Sequence, residues 1–289
     1  MGPFLPPELE RDIFECAALS HKASIPAFLR VARRIYAWIH PLLYRTLMVK
    51  TNSEPWTRFL KTIQSMGPDN SEFLQSSLQN LFVHNSPWLS TELHFVLSSC
   101  NSLTNFVIMS TNPSILPLLE TKRLKRITVS LAQLFDNGSI LQNLPHPAFM
   151  HATHLDLIDF LHKDKSFDAL TLLPALTHLC LNSFVHRRQL QIVFAGCKGL
   201  RVLVNMHTEI EPEWGLADIC GRLAIEDEPR FVLMAKDHSH NNFARDWEAG
   251  RRGEKDFWIL AEEFVEKKRK GQIVPGECIH SKGRDVDNF

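Results

Sequence analysis

Residues 176–181 read Leu176-Thr177-His178-Leu179-Cys180-Leu181, and this L-x-x-L-x-L pattern recurs through the middle of the chain. Five further copies begin at Leu78, Leu103, Leu124, Ala152 and Leu200, so successive copies start 25, 21, 28, 24 and 24 residues apart. The stretches between them, such as 91–99 and 188–195, are compatible with helices. A strand followed by a helix cannot bury its own apolar face, whereas stacked copies share one continuous core. The pattern therefore predicts a solenoid of parallel strands and helices.

The pattern and its spacing resemble those of leucine-rich repeats, whose period is about 20–29 residues. Most copies lack the asparagine that usually follows such a strand, and only Asn182 and Asn205 stand at or next to a strand end. The repeats are therefore degenerate, and an ordinary α/β domain with leucine-rich strands is the alternative. We predict an α/β fold in which an N-terminal helical module precedes the repeats and a C-terminal helix follows them.

The charges of the chain exclude some kinds of partner. Its 289 residues include 32 basic and 32 acidic side chains, and a protein without net charge lacks the cationic field that general binding to nucleic acid or to anionic membranes requires. No apolar run approaches the roughly 20 residues of a membrane span, and the N-terminus has no pattern of a secretory signal. Six scattered cysteines without a C-x-x-C pair indicate reduced thiols. We expect a protein of the cytoplasm, the nucleus or both.

Charge density divides the chain into segments. Residues 51–205 carry 22 charged side chains in 155 residues, whereas residues 206–289 carry 31 in 84. This division predicts a helical module at 1–50, a solenoid at 51–205, a C-terminal region at 206–275 that packs on or caps the solenoid, and a flexible tail at 276–289. Within the C-terminal region, the apolar pattern predicts a strand at 230–234 and a helix from about residue 256 to residue 270.

The first fifty residues predict short helices with surplus apolar side chains. Pro6 and Pro7 can begin a helix whose apolar side chains include Leu9 and Ile13, and a second apolar stripe includes Trp38. Roughly fifty residues are few for an independent core. Such a module gains stability by packing on a neighbouring domain or on a partner.

This segment resembles an F-box-like domain. The resemblance is carried by Leu5-Pro6-Pro7-Glu8-Leu9, which is similar to the Leu-Pro-x-Glu-Leu opening of F-box motifs, by the apolar and basic stretch 28–34, and by Trp38 with the following 41–45. Ala32-Arg33-Arg34-Ile35 replaces the usual Cys/Ser-Lys-x-Trp core of the motif. An F-box followed by leucine-rich repeats resembles the substrate receptors of cullin–RING ubiquitin ligases. The whole chain, with Asp-Trp-Glu at 246–248 and Asp-Phe-Trp at 256–258, resembles the large F-box-like families of mushroom-forming fungi.

The resemblance implies that the module binds a Skp-type adaptor and, through it, a cullin ligase. The residues that it divides between the core of the module and the adaptor surface are Leu5, Pro6, Leu9, Ile13, Leu29, Val31 and Trp38. The alternative is that the same side chains dock the module on the first repeat. The module would then be a cap that shields the open end of the solenoid core.

The other predicted binding surface is the concave face of the repeats. In an L-x-x-L-x-L strand, the residues between the leucines point to that face. They mix aromatic, Met, Arg and His side chains, which suits recognition of a protein. The predicted target-binding residues are Asn80, Phe82, His84, Asn105, Met109, Arg126, Thr128, His154, Asp156, His178 and Asn182.

The same face offers a candidate metal site. Neighbouring strands lie about 4.8 Å apart, so His154 should lie beside His178, with Asp156 near Cys180. These side chains are acceptable zinc ligands, but a polar binding surface is the simpler interpretation, and we predict no bound metal.

The sequence contains no G-x-G-x-x-G, P-loop or G-x-S-x-G motif. We therefore predict a substrate-recognition subunit that is not an enzyme, needs no cofactor and holds an unknown protein target. One alternative is a repeat-based interaction protein without a ligase role. Another is a metal-dependent enzyme that uses His154 and His178.

Overall fold

The computed structural model describes residues 5–50, 53–65, 70–84, 91–110, 112–135, 140–158, 164–207, 216–223, 225, 228–236, 240–273 and 279–281. Within these ranges, nine parallel strands form one sheet, and the strands follow one another in chain order. Each connection therefore advances the chain by one strand, as in a solenoid. This arrangement confirms the predicted α/β fold with parallel strands and helices.

The elements of this part of the chain have the following bounds. The strands are β1 (Thr46–Lys50), β2 (Asn80–His84), β3 (Asn105–Ile108), β4 (Arg126–Val129), β5 (His154–Leu157), β6 (His178–Leu181), β7 (Val202–His207), β8 (Phe231–Lys236) and β9 (Ile279–Ser281). The N-terminal helices are α1 (Pro7–Ser20), α2 (Ile25–Phe28) and α3 (Arg33–Ile39). The helices between strands are α4 (Glu54–Ser65), α5 (Asn70–Ser77), α6 (Thr91–Ser99), α7 (Leu116–Leu119), α8 (Leu131–Leu134), α9 (Ile140–Asn143), α10 (Asp164–Leu170), α11 (Arg187–Gly196) and α12 (Leu216–Leu223). Two C-terminal helices follow, α13 (His240–Arg251) and α14 (Phe257–Arg269).

The predicted repeats are in register as strands β2 to β7. The third residue of each copy pairs with the third residue of the next, in the order Asn80, Asn105, Arg126, His154, His178 and Val202. The stretches 91–99 and 188–195, which the sequence marked as compatible with helices, lie in α6 and α11. The predicted strand at 230–234 corresponds to β8, and the predicted helix at 256–270 corresponds to α14.

The fourth and sixth positions of each copy, which are apolar except for Asn205, face a layer formed by α4 to α12. Leu155 and Leu157 of β5, for example, are fully buried in one apolar cluster that also contains Leu179 of β6 and Leu190 of α11. Side chains alternate between the two sides of a strand, so the third and fifth residues of each copy point to the opposite side of the sheet. We call this opposite side the inner face.

Polar side chains at both ends of the strands tie neighbouring repeats together. Before β3, the Thr104 hydroxyl donates a hydrogen bond to the carbonyl of Gln79 at 3.2 Å. After β6 and within β7, the amide groups of Asn182 and Asn205 donate to the carbonyl groups of Leu157 and Leu181, at 3.0 and 3.1 Å. The two asparagines singled out in the sequence therefore satisfy backbone carbonyl groups of the preceding repeat.

The N-terminal module has a small core of its own. Ala18, Ile25, Ile35 and Ile39 are buried in it. The predicted second apolar stripe is interrupted, because α2 ends at Phe28 and α3 begins only at Arg33. Ala32 between them is extended, with φ −161° and ψ 157°. Val31 therefore lies in a connecting turn rather than on a helix.

Two strands lie in segments that the sequence assigned to other parts of the chain. Strand β1, within the predicted module 1–50, pairs with β2 and is the first strand of the sheet. Strand β9, within the predicted tail 276–289, pairs with β8, and the rest of that tail lies outside the described residues. Among the helices that the structure describes, none is both long and apolar enough to cross a membrane.

Candidate functional site on the inner face of the sheet

The inner face is covered by the C-terminal helices α13 and α14. On β2, the ring centroid of Phe82 lies 5.7 Å from that of Phe243 and 5.4 Å from that of Trp247, both on α13. On β5 and β6, Trp258 of α14 packs against two histidines. The surface predicted to be an open concave face is therefore filled by helices of the same chain.

At strands β7 and β8 the inner face is apolar. Val204 and Met234 are buried there in one cluster with Phe257, Ala261 and Val265 of α14. All six residues of β7 are buried, so this strand is covered on both sides. Because α14 rests on this apolar part, its first turns are brought over the polar side chains of β4 to β6.

The centre of the site is a stack of two histidines beneath an indole ring. The rings of His154 and His178 are parallel to within 1°, with their centroids 4.0 Å apart. Trp258 lies edge-on to both, at 5.2 and 5.7 Å. The Nδ1 atoms of the histidines lie 2.9 and 2.8 Å from the hydroxyl groups of Thr153 and Thr177. The register and the aromatic cover therefore fix both rings.

The surroundings favour neutral imidazoles. The pKa of His154 is lowered to about 2, first by burial and then by the nearby charges of His178, Arg126 and Arg251. Burial also lowers the pKa of His178, although its contact with Glu262 acts in the opposite direction. The Nε2 of His178 lies 2.9 Å from a carboxylate oxygen of Glu262. A neutral ring satisfies the contact with Glu262 when Nε2–H donates to the carboxylate, and its Nδ1 then competes with the carbonyl of Thr153, 3.0 Å away, for the single proton of the Thr177 hydroxyl.

Asp256 fixes the start of α14 against the sheet. One of its carboxylate oxygens accepts the backbone N–H of Ile259 at 2.9 Å, which caps the helix. The other accepts a hydrogen bond from Arg126 of β4 at 3.1 Å. Asp256 is 4% exposed, so this ion pair is largely removed from water on its acidic side. Loss of Arg126 would therefore leave the carboxylate of Asp256 without its ion-pair partner in a poorly solvated place.

Asp156 is a second buried carboxylate on this face. It accepts hydrogen bonds from the Thr128 hydroxyl, at 3.2 Å, and from the Asn182 amide. Burial raises the pKa of Asp156 to about 6, although these hydrogen bonds act in the opposite direction. Two residues of β5, His154 and Asp156, therefore have shifted pKa values, one lowered and the other raised.

A cavity of about 30 Å³ lies between these groups and the two helices. Its walls include Arg126, His154, Asp156, Asp246, Trp247, Arg251 and Trp258. The buried Nε of Arg251 finds no hydrogen-bond partner among the described residues, and burial lowers the pKa of Arg251 to about 10. The space suffices for about two water molecules rather than for a metabolite.

The arrangement does not favour the candidate zinc site. Stacked parallel rings direct their nitrogen lone pairs side by side rather than toward one point, and one nitrogen of each ring already contacts a threonine. Within the described ranges, no group of three or more His, Cys, Asp or Glu side chains could hold a metal ion. The chemistry available here is hydrogen bonding, ion pairing and aromatic packing, which are the means of recognition.

The predicted target-binding residues do lie together on the inner face or at its edge, but many of them are buried there. The buried ones are Asn80, Phe82, Asn105, Thr128, Asp156 and His178, and those only partly exposed are His84, Met109, Arg126, His154 and Asn182. Asn80 and Asn105 are hydrogen-bonded to each other across β2 and β3. Their role in binding a target stays a prediction, and such a target would first have to displace α13 and α14.

The predicted adaptor-binding residues divide into two groups. The exposed group consists of Leu5, Pro6, Leu9, Ile13 and Val31. Leu29 and Trp38 are only partly exposed and pack against the core of the module. The structure thus separates side chains available to a partner from side chains that hold the module together.

Sequence analysis did not place Phe243, Trp247 or Trp258 on the inner face. The sequence around β7 carried a usable signal, because Val202-Leu203-Val204 is apolar without alternation, which is typical of a strand covered on both sides. The identity of the covering helices had no such local signal, because their contacts with β2 and β6 link residues 80 or more positions apart.

The fold and the site together define a parallel α/β solenoid whose inner face is filled by helices of its own C-terminal region. No protein-family model matches the chain, and no curated protein matches it.

Proposed function

We propose that this protein is the substrate-recognition subunit of an SCF-type cullin–RING ubiquitin ligase, working in the cytoplasm, the nucleus or both. In this proposal the N-terminal module binds a Skp-type adaptor, and the repeat domain binds a protein target. The observation that carries the adaptor half is the exposure of apolar side chains on α1. Leu9 is 51% and Ile13 is 54% exposed.

The module packs on the solenoid through other residues. His40 and Tyr44 lie in a short 3₁₀ helix before β1. Their rings contact Phe73 of α5 at centroid distances of 5.4 and 5.1 Å. A module that served only as a cap would turn its apolar helix face toward the first repeat. Instead, Leu9 and Ile13 remain accessible in the described part of the chain, which supports a partner over a cap.

The exposed side chains suit a helical partner. Leu9 and Ile13 are four residues apart and therefore lie on one face of α1. Leu5 and Pro6 stand just before the helix, and Val31, which is 59% exposed, lies in the turn before α3. Helices α1 and α3 share the apolar core of the module, and an ion pair between Arg34 and Glu10, at 2.8 Å, links them at the surface. The module thus presents apolar side chains from a preformed set of helices, which lowers the entropic cost of association.

The test is adaptor binding by a paired set of variants. Leu9→Asp with Ile13→Asp puts two charges on the exposed face of α1 and should abolish co-purification with a Skp-type adaptor. The matched control is Leu172→Asp with Phe184→Asp, which changes two residues that are 47% and 68% exposed outside the module. This control should bind the adaptor as the unchanged chain does. Thermal unfolding of all three proteins checks that the substitutions leave the fold intact.

Two results would contradict the proposal. One is the absence of adaptor binding by the unchanged chain at micromolar concentration, which would favour a repeat-based interaction protein without a ligase role. The other is undiminished adaptor binding by the variant with Leu9→Asp and Ile13→Asp.

A further inference from the structure

The proposed receptor needs a surface for its target, and the inner face is already occupied. The occupant consists of α13 and α14, which we call the C-terminal helix pair (residues 240–269). Its contacts show which chemistry the inner face accepts, because they are the contacts that a competing segment would have to replace.

The contacts of α14 are those of a recognition interface. Trp258 is an aromatic anchor on the histidine stack. Asp256 is paired with Arg126, and Glu262 with His178. Aromatic anchors flanked by complementary charges dominate protein–protein recognition. The sheet supplies the basic and imidazole groups at these contacts, and the helix supplies the acidic ones.

The packing of the helix pair on β3 to β5 is incomplete. The cavity of about 30 Å³ lies in this interface, and the buried Nε of Arg251 borders it without a partner among the described residues. The leucine core on the other side of the sheet contains residues such as Leu155 and Leu179 with no exposure at all. Cavities and unpaired buried donors weaken the interface that contains them. The helix pair is therefore expected to open at a lower free energy than the sheet unfolds.

We propose that the inner face is the target-recognition surface and that the C-terminal helix pair is its internal competitor. The partner that fits is an amphipathic helix of a target protein with the chemistry of α14. Its first residues are an acidic N-cap followed by an aromatic pair, as in Asp256, Phe257 and Trp258, and small or β-branched residues follow at one-turn spacing, as in Ala261 and Val265. This inference rests on the proposed function, since it assigns the target class of the same receptor.

A competing segment in the same chain weakens the apparent binding of a target. The apparent dissociation constant equals the intrinsic one divided by the fraction of molecules in which the inner face is free. A substitution that weakens the contacts between the helix pair and the inner face should therefore increase binding of an added helix, although the added helix gains no new contact. This relation gives a test that needs no identified target.

The probe is a fluorescently labelled synthetic peptide of residues 254–273, titrated into the full chain and followed by anisotropy. The chain with Trp258→Ala loses its own aromatic anchor and should bind the peptide at least about tenfold more tightly than the unchanged chain. The control chain carries Phe95→Ala, which removes an exposed aromatic ring from α6 on the other side of the sheet, and should bind like the unchanged chain. A peptide with Asp256→Lys places a cation near Arg126 and should bind at least about tenfold more weakly.

Circular dichroism checks that the chain with Trp258→Ala is folded. If it is not, the chain with Asp256→Lys and Glu262→Lys takes its place, because these changes break the ion pair with Arg126 and the hydrogen bond with His178 and keep the apolar anchors. Equal peptide binding by the weakened, control and unchanged chains would overturn the inference, as would the absence of saturable binding.

Hydrogen exchange of the unchanged chain gives an independent result. The backbone amides of α14 should exchange faster than those of β6, and equally slow exchange of both would overturn the inference. Adaptor binding measured on the same samples separates the two proposals. If the chain binds the adaptor but not the peptide, only the proposal that the C-terminal helix pair is a competitor is refuted. If the chain does not bind the adaptor, the proposed function as a ligase subunit is refuted.

Discussion

Acidification should weaken the inner face through His154, and the size of the effect follows from its surroundings. The pKa of this histidine falls from an ordinary 6.5 to about 2 in the folded protein. The folded state therefore favours the neutral ring, and the stability that this preference contributes is present above pH 6.5 and is lost as the pH falls below that value. At about pH 4.5, two units below the unfolded pKa, the loss amounts to about 3 kcal/mol.

The unchanged protein should show only part of this loss, because Asp156 acts in the opposite direction. The pKa of Asp156 rises from 3.8 to about 6 on folding, so the folded state binds the proton more tightly. Between about pH 7.5 and 4.5 this preference adds about 2 kcal/mol of stability. The pH-dependent contributions of His154 and Asp156 to the unfolding free energy therefore largely cancel in the unchanged protein. A variant that lacks one of the two groups is needed to separate them.

The assay is urea unfolding of the unchanged protein and of His154→Gln, followed by tryptophan fluorescence and circular dichroism. The difference in unfolding free energy between the two proteins should change by about 3 kcal/mol between about pH 7.5 and 4.5. The exposed His21→Gln serves as the control and should show a much smaller change. A difference that stays constant for His154→Gln would refute the argument, because it would mean that the ring takes up its proton in the folded state as readily as in the unfolded state.

Two further predictions concern the stability of the solenoid and use the same unfolding assay. Leu155→Ala should destabilise the protein by about 3 kcal/mol, because it opens a cavity in the leucine core, whereas the exposed Leu172→Ala should change stability by less than about 0.5 kcal/mol. Equal effects of the two would contradict the burial of Leu155 in the core and the exposure of Leu172. Asn205→Ala should cost about 2 kcal/mol by leaving the buried carbonyl groups of Leu181 and Ser183 without their amide donor, and the exposed Asn101→Ala should cost far less.

The repeats could be predicted because their signal is local and periodic. The L-x-x-L-x-L spacing determines which side chains face the helices, and the observed pairing of His154 with His178 follows from aligning two copies. Two further copies are too altered to recognise from the sequence. One is 44–49, where Tyr44 replaces the first leucine, and the other is 228–233, where Glu228 does. Their strands β1 and β8 nevertheless continue the register of the sheet.

The cover of the inner face could not be predicted in the same way. Trp258 packs on His178, and Phe243 packs on Phe82, across very long sequence separations that no short pattern encodes. Asp256 was noticed only as the start of a predicted helix and as part of a resemblance, although its partner, Arg126, stood among the predicted target-binding residues. The sequence therefore predicted which residues share a face but did not predict what lies on it.

The position of the C-terminal helix pair between two strands has a mechanical consequence. Strand β8 precedes it and strand β9 follows it, and both are hydrogen-bonded into the same sheet. If the pair leaves the inner face, it therefore forms a closed loop anchored at both ends rather than a free tail. Closing such a loop costs entropy that grows only slowly with its length, so the local concentration of the pair stays high. A captured segment would then be expelled by the returning helices once its own concentration falls, which makes the site reversible by construction.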